Sequence, residues 1–227
     1  MFTEWLLLIV GTFVALLPIA NPISTAPVFL SLSRGFTAER RRQQARMAAT
    51  WMAVILIVSL VAGALVLEFF GISMLALRLA GGLVVLQIGT GMMQGDSALQ
   101  SDLSDDLMDE SRRMSDIAFT PTAMPMLSGP GSIAVTISMA TEVGPAREYL
   151  AVAIGILIVA FVSWLFLNGA ARIGGLIGVT GLNAINRLMG FLLICIGVQF
   201  MGTAVLEAFS SPEFIEAIAR ALQDQAA

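Results

Sequence analysis

The residues best suited to hold a small solute fall in two short interruptions of apolar sequence, Asn21-Pro22-Ile23-Ser24-Thr25 and Ser128-Gly129-Pro130-Gly131-Ser132. Proline donates no backbone hydrogen bond, and Pro27 follows Pro22, so a straight helix through Asn21–Pro27 would lose its ladder twice. Ending one half-helix near Ala20 and starting another is cheaper, with Asn21 at the N-cap and Pro22 in the first helical position. In the second interruption Ser128 or Gly129 can cap, Pro130 takes the first turn, and Gly131 permits close backbone approach. New helix starts present unpaired N–H groups and a positive dipole end, which attract a carboxylate. The carbonyl ends of the preceding half-helices suit an ammonium. Together they fit a small zwitterion. The plainer alternative is that these prolines and glycines only kink helices for packing, and that Ser24, Thr25 and Ser132 bond the carbonyl one turn back.

A second group of polar residues lies within apolar segments. Gln87, Thr90 and Gln199 either bond neighbouring helices or line a pocket. Arg78 and Arg187 either anchor at the membrane interface by snorkelling or form gate-like pairs at two mouths. Gly81, Gly82, Gly89, Gly91, Gly190 and Gly197 favour close helix packing. No carboxylate lies mid-segment, since Glu68 and Glu207 fall at ends. There is no histidine, no phosphate loop and no Ser/Lys dyad, so an enzyme is not expected, and neither is a resident cofactor or metal. The lone Cys195, set among Leu192, Leu193, Ile194 and Ile196, reads as a small core residue.

These residues are carried by a chain that is 57% hydrophobic and 12% charged. A soluble domain could not hide that much apolar surface, whereas a bilayer can. With a net charge of −4 there is no basic surface for nucleic acid. Six apolar segments stand out, at about 5–33, 47–67, 72–93, 118–140, 148–168 and 188–208, and spans of ~20 residues match a ~30 Å hydrocarbon core. The first segment, with its polar break and no basic lead, reads as a retained span and not a cleaved signal.

The two interruptions occupy matching positions in two halves. Pro22 and Pro130 are 108 residues apart, and Arg78-Leu79-Ala80-Gly81 and Arg187-Leu188-Met189-Gly190 are 109 apart. Three segments per half make the second half enter the bilayer upside down. The expected fold is therefore an all-α membrane protein with six transmembrane helices in two inverted three-helix repeats, helices one and four being broken, a pattern that marks secondary transporters. Repeat one covers about 1–93, an acidic linker about 94–117, repeat two about 118–209 and a C-terminal amphipathic tail about 210–227, all within one membrane domain, 1–227. The linker reads as a solvated loop, the glycine-rich stretch 169–186 as a flexible or re-entrant connection, and the tail as a surface helix opened by a Ser210/Glu213 capping box.

Orientation follows from arginine, since the chain has no lysine. Arg34, Arg40, Arg41, Arg42 and Arg46 follow segment one, Arg112 and Arg113 follow segment three, and Arg172 and Arg187 follow segment five. Those loops share one side, which the positive-inside rule makes cytoplasmic, leaving both termini outside.

The run Asn21-Pro22-Ile23-Ser24-Thr25-Ala26-Pro27-Val28-Phe29, the segment Pro125 to Ile133 around Ser128-Gly129-Pro130-Gly131-Ser132, and Arg187-Leu188-Met189-Gly190 resemble the MarC family (UPF0056 type) of six-span inner-membrane proteins. The resemblance extends over all six segments. It implies a bacterial inner-membrane, multi-pass protein related to SnatA, a small neutral amino acid transporter, with the two breaks as the substrate site. The expected function is alternating-access transport of small neutral amino acids of the glycine and alanine type. Export of another solute or a drug, or a non-transporting membrane scaffold, is the alternative. The expected partners are a small zwitterionic solute and the lipid bilayer. The coupling ion, sodium or proton, and the oligomeric state stay open.

Overall fold

In the computed structural model, residues 2–94, 116–144 and 146–210 are described. They form α1 (Phe2–Ala20), α2 (Pro22–Leu32), α3 (Ala38–Phe70), α4 (Met74–Gln94), α5 (Ala118–Leu127), α6 (Pro130–Glu142), α7 (Ala146–Asn168) and α8 (Ala170–Phe209). The acidic linker, apart from its edges, and the tail lie outside the described residues. Five helices are long and apolar enough to cross a membrane: α1 from Thr3, α3, α4, α7 and the Thr180–Phe209 part of α8. The stretch 169–186, expected to be a loose or re-entrant connection, is mostly helical. Only Gly178, with a positive φ of 65°, interrupts it, and glycine takes that conformation without a Cβ clash.

The helices sort their residues into core and lipid faces. On α3, Ala45, Ala48, Ala49, Met52, Leu56, Leu60, Gly63 and Leu67 turn inward at helical spacing, while Val54, Val58, Val61 and Leu65 are exposed. Phe69, Phe70, Phe161, Phe191 and Leu206 are also exposed. A water-soluble protein would not leave so much contiguous apolar surface uncovered. Hydrocarbon is its natural solvent.

Contacts at known positions fix the directions of the helices. Trp5 Nε1–H donates to the Arg147 carbonyl at 2.9 Å, and a Cβ at Gly155 would lie 2.6 Å from Thr12 Cβ, so α1 and α7 run parallel. Gln44 Oε1 accepts from the Ile117 N–H at 2.9 Å. Further along, the Trp51 and Phe119 rings pack edge to face at 5.3 Å, and Gly63 lies against Ile137. Advancing from Gln44 to Gly63 on α3 thus matches advancing from Ile117 to Ile137. Neither α5, with 10 residues, nor α6, with 13, is long enough to cross alone. Laid end to end they keep pace with about 28 Å of α3.

The most extensive interface joins α4 to α8. A Cβ at Gly82 would meet the Gly197 carbonyl at 2.8 Å, and one at Gly89 would meet the Gly190 carbonyl at 2.6 Å. The helices are therefore antiparallel, with backbones in contact at two levels seven residues apart on each helix. Without a hydrophobic drive between helices in lipid, close backbone approach supplies the dispersion contacts that hold the pair. A further antiparallel contact sets Gly81 against Ala134, joining α6 to α4. Gly89→Ala should lower the thermal unfolding midpoint in detergent by an amount equivalent to about 1–3 kcal/mol of overpacking. Gly11→Ala, where an added Cβ meets nothing within 4 Å, should not lower it.

Candidate functional site

The first break is a true helix end and restart. Asn21 N–H still donates to the Leu17 carbonyl at 3.0 Å, but Asn21 itself takes a left-handed conformation (φ 36°, ψ 62°). Asparagine tolerates this better than most residues because its short polar side chain can bond locally. Here Asn21 Oδ1 accepts from the Ser24 N–H at 3.3 Å and caps α2, with Pro22 in the first turn. The Asn21 amide also donates to Ser24 Oγ and, at 3.6 Å, to Met92 Sδ on α4. Ser24 Oγ–H in turn donates to Asn186 Oδ1 on α8. One polar chain, Met92–Asn21–Ser24–Asn186, buried at its centre and half-buried at its ends, therefore ties the break to both helices of the central pair. Thr25 bonds back to the Asn21 carbonyl at 3.2 Å.

The second break is built differently. In α5 the hydrogen bonds span five residues, from Thr122 N–H to the Ile117 carbonyl and from Ser128 N–H to that of Ala123. Thr120 and Met124 leave helical geometry, one residue before Pro121 and Pro125 respectively, as residues before proline do. Gly129 occupies the N-cap of α6 with no side-chain cap, and Pro130 opens the helix and is exposed. Ser132 Oγ–H donates to the Leu127 carbonyl at 3.4 Å, and Thr136 to that of Ser132 at 2.8 Å. Thr122 Oγ1, Ser128 Oγ and Ser163 Oγ are buried with no hydrogen-bond partner among the described residues. Buried hydroxyls are usually satisfied. Two of these three lie in α5 and its end, the stretch that precedes the new helix start.

The two breaks approach each other at the α1–α6 contact. A Cβ at Gly131 would lie 3.4 Å from Ile19 Cγ2, two residues before Asn21, and 3.0 Å from Val85 Cγ2 on α4. Gly131 thus sits beside the middle of α4. Asn21 reaches Met92 near the end of that helix, about 10 Å further along by helical rise. Asn21, Pro22, Ser24, Thr25, Ser128, Gly131 and Ser132 are buried.

The other candidate residues are dispersed. Gln87 and Gln199 are exposed on the outward faces of α4 and α8, so they do not line an interior site. Thr90 is half-buried and bonds the Gln87 carbonyl of its own helix at 2.9 Å. Cys195 is exposed and not the core residue its apolar neighbours suggested. The stretch of α8 around Cys195, residues 188–198, is apolar on every side, so hydropathy could not tell its faces apart there. Arg78 is buried at 9% exposure, donates from Nε to Ser138 Oγ at 3.2 Å, and pairs through Nη1 with Glu207. Arg187 is exposed. The position that mirrors Arg78, four residues before the paired glycine, is held by Asn186, since Arg78 precedes Gly82 as Asn186 precedes Gly190. Sequence reading missed Asn186. The glycine spacing of 108 residues, equal to that of Pro22 and Pro130, was the signal that points to it.

Asn21→Ala should cost about 1–2 kcal/mol of stability in thermal unfolding, from the lost cap and a left-handed conformation that alanine resists. Asn21→Gly, which takes that conformation freely, should cost only a few tenths.

Residues 6–209 match the family described as MarC family integral membrane protein. A Salmonella typhimurium relative, "UPF0056 inner membrane protein MarC", is 42% identical over 205 residues, covering 86% of this chain and 92% of the relative. A protein of the same description from Escherichia coli O1:K1 is 40% identical over the same shares of each chain. No solved structure matches the chain.

Proposed function

The chain belongs to the MarC family of integral membrane proteins, and on that premise we propose that it is a secondary transporter of small neutral amino acids in the inner membrane, and not an enzyme. In this reading the protein crosses the bilayer six times, as two inverted halves. The directions of the helices support it: α1, α4 and α7 run one way, and α3, the α5–α6 pair and α8 run the other. So does the α4–α8 contact, where shifting each glycine by 108 residues turns the Gly82–Gly197 pair into Gly190–Gly89, the other observed pair. A contact that maps onto itself in this way is what a two-fold axis in the membrane plane produces. The arginine-rich stretch between α2 and α3 then faces the cytoplasm and both termini face the periplasm.

The observation that carries the transport reading is the pair of helix restarts at Asn21-Pro22 and Gly129-Pro130-Gly131, which approach one another within the bundle where Ile19 lies against Gly131. Irregular backbone at that depth persists only where protein or a polar cavity covers it. In this reading the α6 start, through Ser128, Gly129, Gly131 and Ser132, draws the substrate carboxylate, and the carbonyls of α5 face its ammonium. Asn21, Pro22, Ser24 and Thr25 complete the site from the α2 side. The tight packing around Gly131, where a Cβ would lie 3.0 Å from Val85, favours a substrate no larger than glycine or alanine. Movement of the halves about this site opens it alternately to each side, coupled to sodium or protons. The substrate class draws on this chemistry and on the resemblance to SnatA-type transporters.

Purified protein in proteoliposomes should take up labelled glycine and alanine, with sodium and pH gradients identifying the coupling ion. Among correctly inserted molecules, Gly131→Leu should lower flux per molecule at least about tenfold, equivalent to about 1.4 kcal/mol. Normal flux in that variant would remove the site from the breaks. In a Cys195→Ser background, a cysteine at position 40 should be labelled only from the cytoplasmic side, and labelling from outside intact cells would overturn the orientation.

A further inference from the structure

We propose that Arg42 and Arg46, in the first turns of α3, bind the headgroup phosphate of an anionic phospholipid whose acyl chain lies along the lipid-facing row of the same helix. The proposal needs α3 to cross a bilayer and does not need the protein to transport anything.

The stretch 33–47 carries Arg34, Arg40, Arg41, Arg42 and Arg46, with Glu39 as its one carboxylate. The structure uses these arginines unequally. Arg41 closes the end of α2, donating from Nε to Ser33 Oγ at 3.1 Å and from Nη2 to the Ser33 carbonyl at 3.3 Å. Arg40 lies over the Phe36 ring at 4.5 Å. Arg42 and Arg46 are exposed, and their side chains make no hydrogen bond or ion pair among the described residues. They are four apart on one helix, so their Cβ atoms are about 5–6 Å from each other. Two guanidinium forks at that spacing can hold one phosphodiester from two directions. Glu39 is exposed in the first turn, where it complements the helix dipole. By helical rise it lies about 10 Å further out than Arg46.

What lies beneath the arginines makes the phosphate a lipid's. The 33 residues of α3 span about 50 Å against ~30 Å of hydrocarbon, so its first turns stand in the headgroup layer. The apolar run starts at Met47, and no charge follows Arg46 until Glu68. Arg46, Thr50, Val54 and Val58 form one exposed row at four-residue steps. Thr50 spends its hydroxyl proton on the Arg46 carbonyl at 2.9 Å. The row descends about 18 Å from Arg46 to Val58, which covers the ~15 Å depth of one hydrocarbon leaflet. A lipid held at Arg46 therefore has apolar surface under its whole chain, and a free phosphate gains nothing from that row. A zwitterionic headgroup would bring an ammonium toward two guanidinium groups, with Arg34 exposed at the same end, whereas an anionic one brings no such repulsion. The far end of α3 carries Glu68 and no arginine, so the site belongs to one leaflet.

The test reconstitutes the full chain in phosphatidylcholine vesicles containing a minor fraction of phosphatidylglycerol brominated high in its acyl chains, and reads tryptophan fluorescence. Bromine quenches indole on contact, and exposed Trp51 lies about 7–8 Å inward from Arg46 along α3. At equal mole fraction, brominated phosphatidylglycerol should quench at least about twofold more than brominated phosphatidylcholine, because basic side chains concentrate anionic lipid. Replacing both arginines, Arg42→Gln with Arg46→Gln, should bring the two lipids level. The paired Arg42→Lys and Arg46→Lys changes, which keep the charge and lose the fork, should retain a smaller excess. Trp51→Phe should remove the excess, and Arg187→Gln, which removes an exposed charge from α8, should leave it intact. Inorganic phosphate at matched ionic strength should not displace the lipid. Equal quenching by the two lipids, an excess that survives the double glutamine change, an equal loss in Arg187→Gln, or displacement by inorganic phosphate would overturn the proposal.

Discussion

Hydrocarbon offers no hydrogen bonds, so every polar group carried to membrane depth must find its partner inside the protein. Most of this structure follows from how that demand is met at two places where the helical ladder is broken. At Asn21 a single side chain meets it. The amide caps α2 through the Ser24 N–H, extends to Ser24 Oγ, and reaches Met92. At the second break the backbone meets it, by widening the turns of α5 to span the gaps left by Pro121 and Pro125. The first solution uses up its polar groups. The second leaves Thr122 and Ser128 hydroxyls buried and without partners among the described residues. The two halves thus keep the same place for a break but differ in polar capacity, and the surplus lies on the α5–α6 side.

The glycine contacts set the frame on which the breaks are hung. At Gly82, Gly89, Gly190 and Gly197 the backbones of α4 and α8 meet with no room for a side chain. Such an interface admits little sliding, because any shift along the axes drives a carbonyl into the neighbouring chain. The α4–α8 pair is accordingly the stiff element, and the breaks sit against its two halves. Asn21 and Ser24 lie against its Met92–Asn186 end, and Gly131 lies against Val85 near its middle.

Both breaks could be read from the sequence because their causes are local. Proline lacks an N–H and asparagine caps, whatever surrounds them, so Asn21-Pro22 and Gly129-Pro130 announce themselves. Helix faces could not be read in the same way. Most of these helices are apolar on all sides, and hydropathy carries no signal for which side meets lipid. That is why Gln87 and Gln199 suggested an interior role and Cys195 a core one, while all three are exposed. The arginines illustrate the same limit. Arg78 and Arg187 stand in look-alike motifs, yet a one-residue shift in register buries the first and exposes the second. Register is set by the glycine contacts, which are a property of the packed pair. The irregular turns of α5 were also hidden, since a run with two prolines signals interruption without saying which hydrogen bonds replace the lost ones.

The ends of the α4–α8 pair hold their neighbours with bonds of different kinds. At one end Asn186 accepts a neutral hydrogen bond from Ser24. At the other, Arg78 is held by Ser138 and a carboxylate. Neutral hydrogen bonds contribute about 0.5–1.5 kcal/mol net, and those involving a charged group about 1.5–3. A helix pair with identical anchors would be held equally at both ends. Unequal polar anchors on otherwise self-matching glycine contacts make the charged end the more firmly held of the two. The difference rests on single side chains, so a substitution at position 78 or 186 alters it without altering the helices that carry it.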